Sequence, residues 1–195
     1  MARTKEFDED AVLLKAMHLF WEQGYEKTSI QDLVSHLGIH KGSLYDTYGD
    51  KHTLYIKALK RYIESFEQKV IRPVKRHMAD TGSAKEAIRM MLEMAVLLNE
   101  EIPVGCFAVN TAVELAKHDS ECREYVLLSW SRVEQLLHEL IVEGQQSGEL
   151  SMSLNVEWLS HYFNNAIIGL RVMAKGITDR EKFNQIIEMN MSVLE

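Results

Sequence analysis

The chain has 195 residues, 46% of them apolar, with two prolines, two cysteines and a formal net charge of −7. That length buries a real core, as one medium domain or a small domain joined to a larger one. No 18-residue apolar run predicts a membrane span, the N-terminal Met-Ala-Arg-Thr-Lys-Glu-Phe-Asp lacks the apolar centre of a signal peptide, and two cysteines make no disulfide framework, so the cytoplasm is the expected compartment.

In chain order, the first predicted helix covers about 8–23, opened by Asp8-Glu9-Asp10 at its positive end and turning Val12, Leu13, Ala16, Leu19 and Phe20 inward. Residues 28–51, TSIQDLVSHLGIHKGSLYDTYGDK, then predict two short helices about a glycine. Ile30, Leu33, Val34 and Leu37 recur at helical spacing, and Thr28 with Gln31 fits a capping box. Gly38 supplies the turn, where a left-handed backbone is inexpensive only for glycine. On the second helix Leu44 and Tyr48 face inward, leaving Lys41, Ser43, Tyr45, Asp46 and Thr47 outward. Such a set can touch the phosphates and base edges of a DNA major groove; the alternative is an ordinary corner of a helical bundle.

A fourth helix is predicted from 51 towards Arg72-Pro73, where the proline breaks or kinks it. Thr81-Gly82-Ser83 caps the next, over about 84–99, and a loop over 101–105 leads to helices over about 106–118, 120–147, 156–175 and 179–194. The helix at 84–99 is apolar on two sides, with Ala87, Ile88, Met91, Leu92, Ala95 and Leu98 on one and Met90, Met94 and Leu97 on the other. Methionine adapts to irregular shapes. One side can therefore line an apolar effector cavity around Met90, Met94 and Phe107, with Asn110, Thr111 and Glu114 as its polar groups; a Met-rich core is the alternative. The last two helices carry apolar residues beyond a single stripe. On one these are Trp158, Tyr162, Phe163, Ala166, Ile167, Leu170 and Met173; on the other, Phe183, Ile186, Ile187, Met191 and Leu194. Two such helices per subunit predict a four-helix homodimer interface; closure of one subunit's own core is the alternative.

Residues 1–60 hold eight Lys/Arg against nine Asp/Glu, so the acidity lies mainly in the rest of the chain and Arg3, Lys5, Lys27, Lys41 and Lys51 are available for phosphates. Cys106 lies at a predicted helix start, where the dipole and free amides favour thiolate. It is either a redox or electrophile sensor or a small hydrophobe packed beside Phe107; packing is the reading adopted, and Cys122 poses the same choice more weakly. Glu114/His118, Glu134/His138 and Glu157/His161 each stand one helical turn apart and would ligate a metal if they converged, the alternatives of an all-helical metal-binding enzyme or a metal-sensing repressor, but such pairs are common surface partners. With no phosphate loop, nucleophile elbow or Cys/His cluster, no catalytic residue, cofactor or metal site is expected.

Phe20, Gly24, Thr28-Ser29, Leu33-Val34, Leu37-Gly38-Ile39, Lys41-Gly42-Ser43-Leu44-Tyr45, Tyr48 and Lys51 fall in an order and spacing that resembles the TetR family of repressors over roughly the first fifty to sixty residues. Further on, Gly105-Cys106-Phe107-Ala108-Val109-Asn110 resembles a segment of one branch of that family. The resemblance implies an all-α fold of about nine helices. It also implies a two-fold dimer, binding to double-stranded operator DNA, and release by a small-molecule effector. It divides the chain into a three-helix DNA-binding head over 1–50 and a helical effector-binding and dimerisation domain over 51–195. It assigns DNA contacts to Thr28, His40, Lys41, Gly42, Ser43, Tyr45, Asp46, Thr47 and Lys51. His40 departs from the usual capping Ser or Thr, Val34 from a small Ala and Tyr48 from Phe. Asp46, acidic on the DNA side, either accepts from a cytosine amino group or pairs with a nearby Lys.

Overall fold

A computed structural model of the protein describes residues 7–101 and 105–195, the backbone alone over 98–101. Arg3, Lys5 and Ile102-Pro103-Val104, together with the side chain of Leu98, lie outside the described residues. The described part is helical throughout, with no strand. The helices are α1 (Glu9–Gln23), α2 (Ile30–Leu37), α3 (Lys41–Tyr48), α4 (Lys51–Phe66), α5 (Arg72–Thr81), α6 (Ala84–Glu101), α7 (Phe107–Glu114), α8 (Ser120–Ser147), α9 (Val156–Met173) and α10 (Arg180–Met191). A π-helical stretch, Glu67–Ile71, joins α4 to α5 without a break, so the two form one rod.

Of the break or kink expected at Arg72-Pro73, the join excludes the break. Proline offers no N–H to the carbonyl four residues back and its ring clashes there. The chain inserts one extra residue upstream instead: the Arg72 N–H donates to the Glu67 carbonyl, five residues back, and Pro73 then enters the first turn of a fresh α-helix, where its missing donor is harmless.

Short polar side chains start the helices. Asp8 caps α1, Asp50 caps α4, Asp119 caps α8, Asn155 caps α9 and Asp179 caps α10. At α2 the cap is one residue later than the spacing predicted. Ser29 Oγ accepts from the Asp32 amide at 3.1 Å and Asp32 Oδ2 accepts from the Ser29 amide at 2.9 Å, a capping box of Ser29 and Asp32 rather than Thr28 and Gln31. Gly38 closes α2 at φ 68°, ψ 30°, the left-handed turn expected of it. α7 is shorter than predicted, ending at Glu114, with turns from Leu115 to His118.

Two apolar clusters hold the molecule together. One joins α5, α6, α8, α9 and α10 around Leu92, Leu137, Phe163 and Ile167. The other joins α1, α2 and α3 through Phe20, Leu33 and Leu44, and runs on into α4 and α7 through Tyr55, Tyr62, Cys106 and Phe107. The 50/51 division of the chain falls inside this second cluster. Head and body therefore share packing along α4 and α7.

Candidate nucleic-acid interface and effector cavity

α3 buries Leu44 and Tyr48 and turns its other side to solvent. His40, Lys41, Gly42, Tyr45 and Asp46 are exposed, Ser43 and Thr47 half-buried. Tyr45 keeps 40% of its surface free, unusual for a side chain with so much apolar area. Lys41 Nζ lies 5.9 Å from the centre of the Tyr45 ring. His40 makes no side-chain cap, so the first amides of α3 remain for water or an anion. Tyr48 gains from its departure from Phe: its hydroxyl donates to the Glu9 carbonyl at 2.8 Å and ties α3 to α1. Lys51 Nζ sits 4.1 Å above the Tyr25 ring, a cation–π contact that orients it. Thr28 does not face outward. Its side chain is wholly buried and its Oγ1 donates to the Gly24 carbonyl at 2.6 Å; Ser29 presents the exposed hydroxyl at that helix start.

A cavity of about 570 Å³ opens between α1, the α4–π rod, α7 and α9. Trp21, Tyr62 and Phe66 give it aromatic walls, Met17 and Val70 add aliphatic surface, and Arg61, Lys69 and Arg171 bring cations. Trp21 Nε1 donates to the Gly105 carbonyl at 3.0 Å, and the Trp21 and Tyr62 rings meet edge to face at 5.0 Å. The Arg171 guanidinium stacks over Phe66 at 4.6 Å and its Nη1 lies 3.5 Å from Cys106 Sγ. The Tyr62 hydroxyl donates to the same sulfur at 3.3 Å. Burial, then the neighbouring Cys106, holds the Tyr62 phenol well above its ordinary range, so it stays a neutral donor.

None of Met90, Met94, Phe107, Asn110, Thr111 and Glu114 lines this cavity; among the expected residues only Cys106 does. α6 packs its faces against α5, α8, α9 and α10, which places Met90 and Met94 against the body core and leaves Ala95 to reach the cavity. Phe107 stands behind Tyr55 and Tyr62 in edge-to-face contact. Asn110 Oδ1 accepts from Lys175 at 3.0 Å, and buried Thr111 meets the Tyr55 hydroxyl at 2.8 Å. Glu114 is a joint: its carboxylate accepts from the Tyr25 amide at 3.0 Å and the Glu26 amide at 2.8 Å, in the loop between α1 and α2. The missed lining had one signal in the sequence, since Arg171 is the sole Lys or Arg of α9.

Two further features were not legible in sequence. His52, Asp119 and Cys122 place one donor atom each within 4.8 Å of one another, at the junction of α4 and α8. The Glu-x-x-x-His pairs build no such group: His161 Nδ1 lies 3.3 Å from Glu134, and Glu114 is spent on the head loop. The apolar surplus of the last helices also divides differently. Phe163, Ile167 and Leu170 are buried in their own subunit's core, as are Phe183, Ile187, Met191 and Leu194. Trp158, Tyr162 and Val172 stay exposed on α9, Leu127 and Leu128 on α8.

A helix-turn-helix with an exposed polar recognition face, packed on a helical body that holds a cavity, is the architecture of a DNA-binding transcriptional regulator. Residues 12–58 match the model for bacterial regulatory proteins of the tetR family, and residues 84–189 match the tetracyclin repressor-like C-terminal domain. The chain belongs to the TetR family of transcriptional regulators. It is 35% identical to the uncharacterised HTH-type transcriptional regulator YezE of Bacillus subtilis, over 100% of both chains. It is 30% identical to the HTH-type transcriptional repressor ComR of Escherichia coli, over 94% of this chain and 87% of that one. A cysteine mutant of the TetR family regulator CifR, solved with 26-bp double-strand operator DNA, superposes with a TM-score of 0.86 at 26% identity, over 100% of both chains. Among the described residues no helix is long and apolar enough to cross a membrane.

Proposed function

We propose that the protein is a homodimeric repressor whose α3 enters the major groove at each half of a palindromic operator, and which lets go when a small molecule fills the cavity. In this reading His40, Lys41, Gly42, Ser43, Tyr45, Asp46 and Thr47 meet bases and backbone, and Ser29 and Lys51 meet phosphates. Residues 1–50 act as the head and 51–195 as the sensing and pairing body. The relative named as a repressor and the neighbour solved on operator DNA support this assignment.

The observation that carries it is the shared wall. Trp21 belongs to the head helix α1 yet faces the cavity, and α7 runs from Cys106 at the cavity to Glu114 at the head loop. A ligand wedged between Trp21, Tyr62 and Cys106 pushes on both. Occupancy then shifts the population of head positions, the physical content of induction. The lining favours a flat apolar body against Trp21, Tyr62 and Phe66, with one anionic group facing Arg171. Native mass spectrometry of the purified protein, followed by operator-binding anisotropy with and without whatever co-purifies, tests the reading. Undiminished operator binding at full occupancy of the cavity refutes it.

For pairing, Trp158, Tyr162, Gly169 and Val172 recur along one face of α9, and a Cβ built on Gly169 meets open space. A face of exposed apolar groups with a gap at its centre suits a second α9 packed closely across a two-fold axis.

A second reading rests on Cys106. Its sulfur lines the cavity with two donors, the Tyr62 hydroxyl and Arg171, converging on it. An electrophile held in the cavity would meet that sulfur, so covalent capture is the alternative signal. Cys106→Ser separates the two: a noncovalent effector still releases DNA from the variant, and an electrophile does not.

A further inference from the structure

We propose that His52, Asp119 and Cys122 form a site for a divalent metal ion of the zinc class, one that ties the start of α4, next to the recognition helix, to the start of α8.

The three side chains come from places 67 residues apart and meet only because α4 crosses the start of α8. His52 stands in the first turn of α4, directly after the recognition helix. Asp119 caps α8 and Cys122 lies in its first turn. The carboxylate is held in place by the fold. Its Oδ1 accepts the Cys122 amide at 2.9 Å, which leaves Oδ2 aimed at His52 Nε2, 2.6 Å away. A ligand oriented by a separate backbone bond is the arrangement that metal sites use to fix their first shell.

The donor set is one imidazole nitrogen, one carboxylate oxygen and one sulfur. Zinc accepts all three, at about 2.0–2.3 Å, in a tetrahedron whose corners lie roughly 3.5 Å apart. Donors already within 4.8 Å of one another need small side-chain rotations to reach that spacing: the His52–Asp119 pair opens and the thiol closes in. Hard-ion sites take oxygen ligands alone, so a sulfur here excludes the magnesium and calcium class. A thiolate and a carboxylate neutralise the ion's two charges. The thiol is buried, while the side chains of His52 and Asp119 keep 35% and 21% of their surface open. That open side gives the ion a way in and room for a water as fourth ligand.

Electrostatics around the site favour a cation. Glu114 and Glu121 add to the negative field of Asp119 around Cys122. Zinc takes cysteine as its thiolate, so binding releases the thiol proton to solvent. Because its ligands come from α4 and α8, the ion restrains the start of α4, where it follows the recognition helix, independently of the cavity.

Cobalt(II) is the probe, since thiolate coordination gives it a sulfur-to-metal charge-transfer absorption in the near ultraviolet. Full-length protein, stripped with chelator and kept reduced, is titrated with cobalt(II) chloride and then with zinc. The expected result is one cobalt per chain with the charge-transfer band, displaced by stoichiometric zinc. Cys122→Ser loses the band and Cys106→Ser keeps it. Asp119→Asn retains the helix cap and His52→Gln retains bulk; each weakens cobalt binding at least tenfold with an unchanged helical spectrum. No band in the wild type, a band that survives Cys122→Ser, or equal binding by both conservative variants overturns the proposal.

Discussion

Replacing Glu114 by Ala removes the clamp between α7 and the head, and its consequences follow from two bonds. The carboxylate accepts the Tyr25 amide at 3.0 Å, part-buried, and the Glu26 amide at 2.8 Å, exposed. A hydrogen bond to a charged group contributes about 1.5–3 kcal/mol when desolvated. The half-open setting puts both near the low end, so together they are worth about 2–3 kcal/mol. For a chain of this size that lowers the Tm by about 5–10 °C. The local signature is sharper. Both amides lose their acceptor, and if opening of this loop limits their exchange with solvent, 2 kcal/mol accelerates it about 30-fold. Hydrogen exchange followed by NMR at Tyr25 and Glu26, with circular dichroism for the Tm, measures both effects. Gly24→Ala is the matched steric test. Its φ of 84° is unfavourable for alanine, and the new Cβ lies 2.9 Å from Glu114 Oε2, so it opens the same joint from the other side. Unchanged exchange at both amides in Glu114→Ala would refute the clamp and with it the route from cavity to head.

Tyr45→Ala removes an exposed contact from α3 and leaves its core face intact, so operator affinity falls at least tenfold, about 1–3 kcal/mol, with an unchanged helical spectrum. Trp158→Glu, on the exposed face of α9, yields a folded monomer by light scattering, whereas Ile167→Glu, in the buried core, lowers the Tm sharply instead of dissociating the protein; a folded dimer from both variants sinks the α9 interface. Arg171→Met keeps the length of the cavity wall and loses its cation, so a fluorescent aromatic sulfonate that binds the wild type saturably binds the variant about tenfold more weakly, the order of one charge-assisted hydrogen bond.

The head was legible because its signals are local. Gly38, the spacing of Leu33, Leu37, Leu44 and Tyr48, and the polar remainder of α3 each follow from neighbours within a few residues. The one local error, a cap at Thr28 instead of Ser29, is a shift of one residue between two hydroxyls of equal capping chemistry. The cavity was not legible because its walls come from α1, α4, the π stretch, α7 and α9, and no periodicity reports which faces converge. Apolar residues at helical spacing say that a face is covered, without saying by what. Hence Ile167 and Leu170 read as an interface when their cover is their own subunit, and Met90 and Met94 read as a ligand wall when theirs is the body core. The proline signal marked the right place, and of its two outcomes the break did not occur. The helix absorbed Pro73 by a π turn, and Gln68, Lys69 and Val70 of that turn line the cavity.

The coupling has a ceiling that the geometry sets. α7 is eight residues long, about 12 Å at 1.5 Å per residue. A rod of two turns moves as a unit, so a ligand that displaces Cys106 by about 1 Å displaces Glu114 by a similar amount, and bonds of 2.8 and 3.0 Å pass beyond useful hydrogen-bond length. In this reading the response is close to all-or-none at the joint, while the Tyr48 hydroxyl keeps α3 tied to α1 within the head. What the ligand can transmit through this route is bounded by what the two bonds hold, about 2–3 kcal/mol per head, or roughly 30- to 150-fold for each half-site engaged and the square of that for a two-headed operator complex. Anisotropy titrations at saturating effector measure that ratio for the wild type and for Glu114→Ala. The wild type should fall within the bound and the variant near unity. A variant that responds like the wild type, or a wild-type ratio far above the bound, would place the signal on another path, with α1 pushed directly at Trp21 as the remaining wall that head and cavity share.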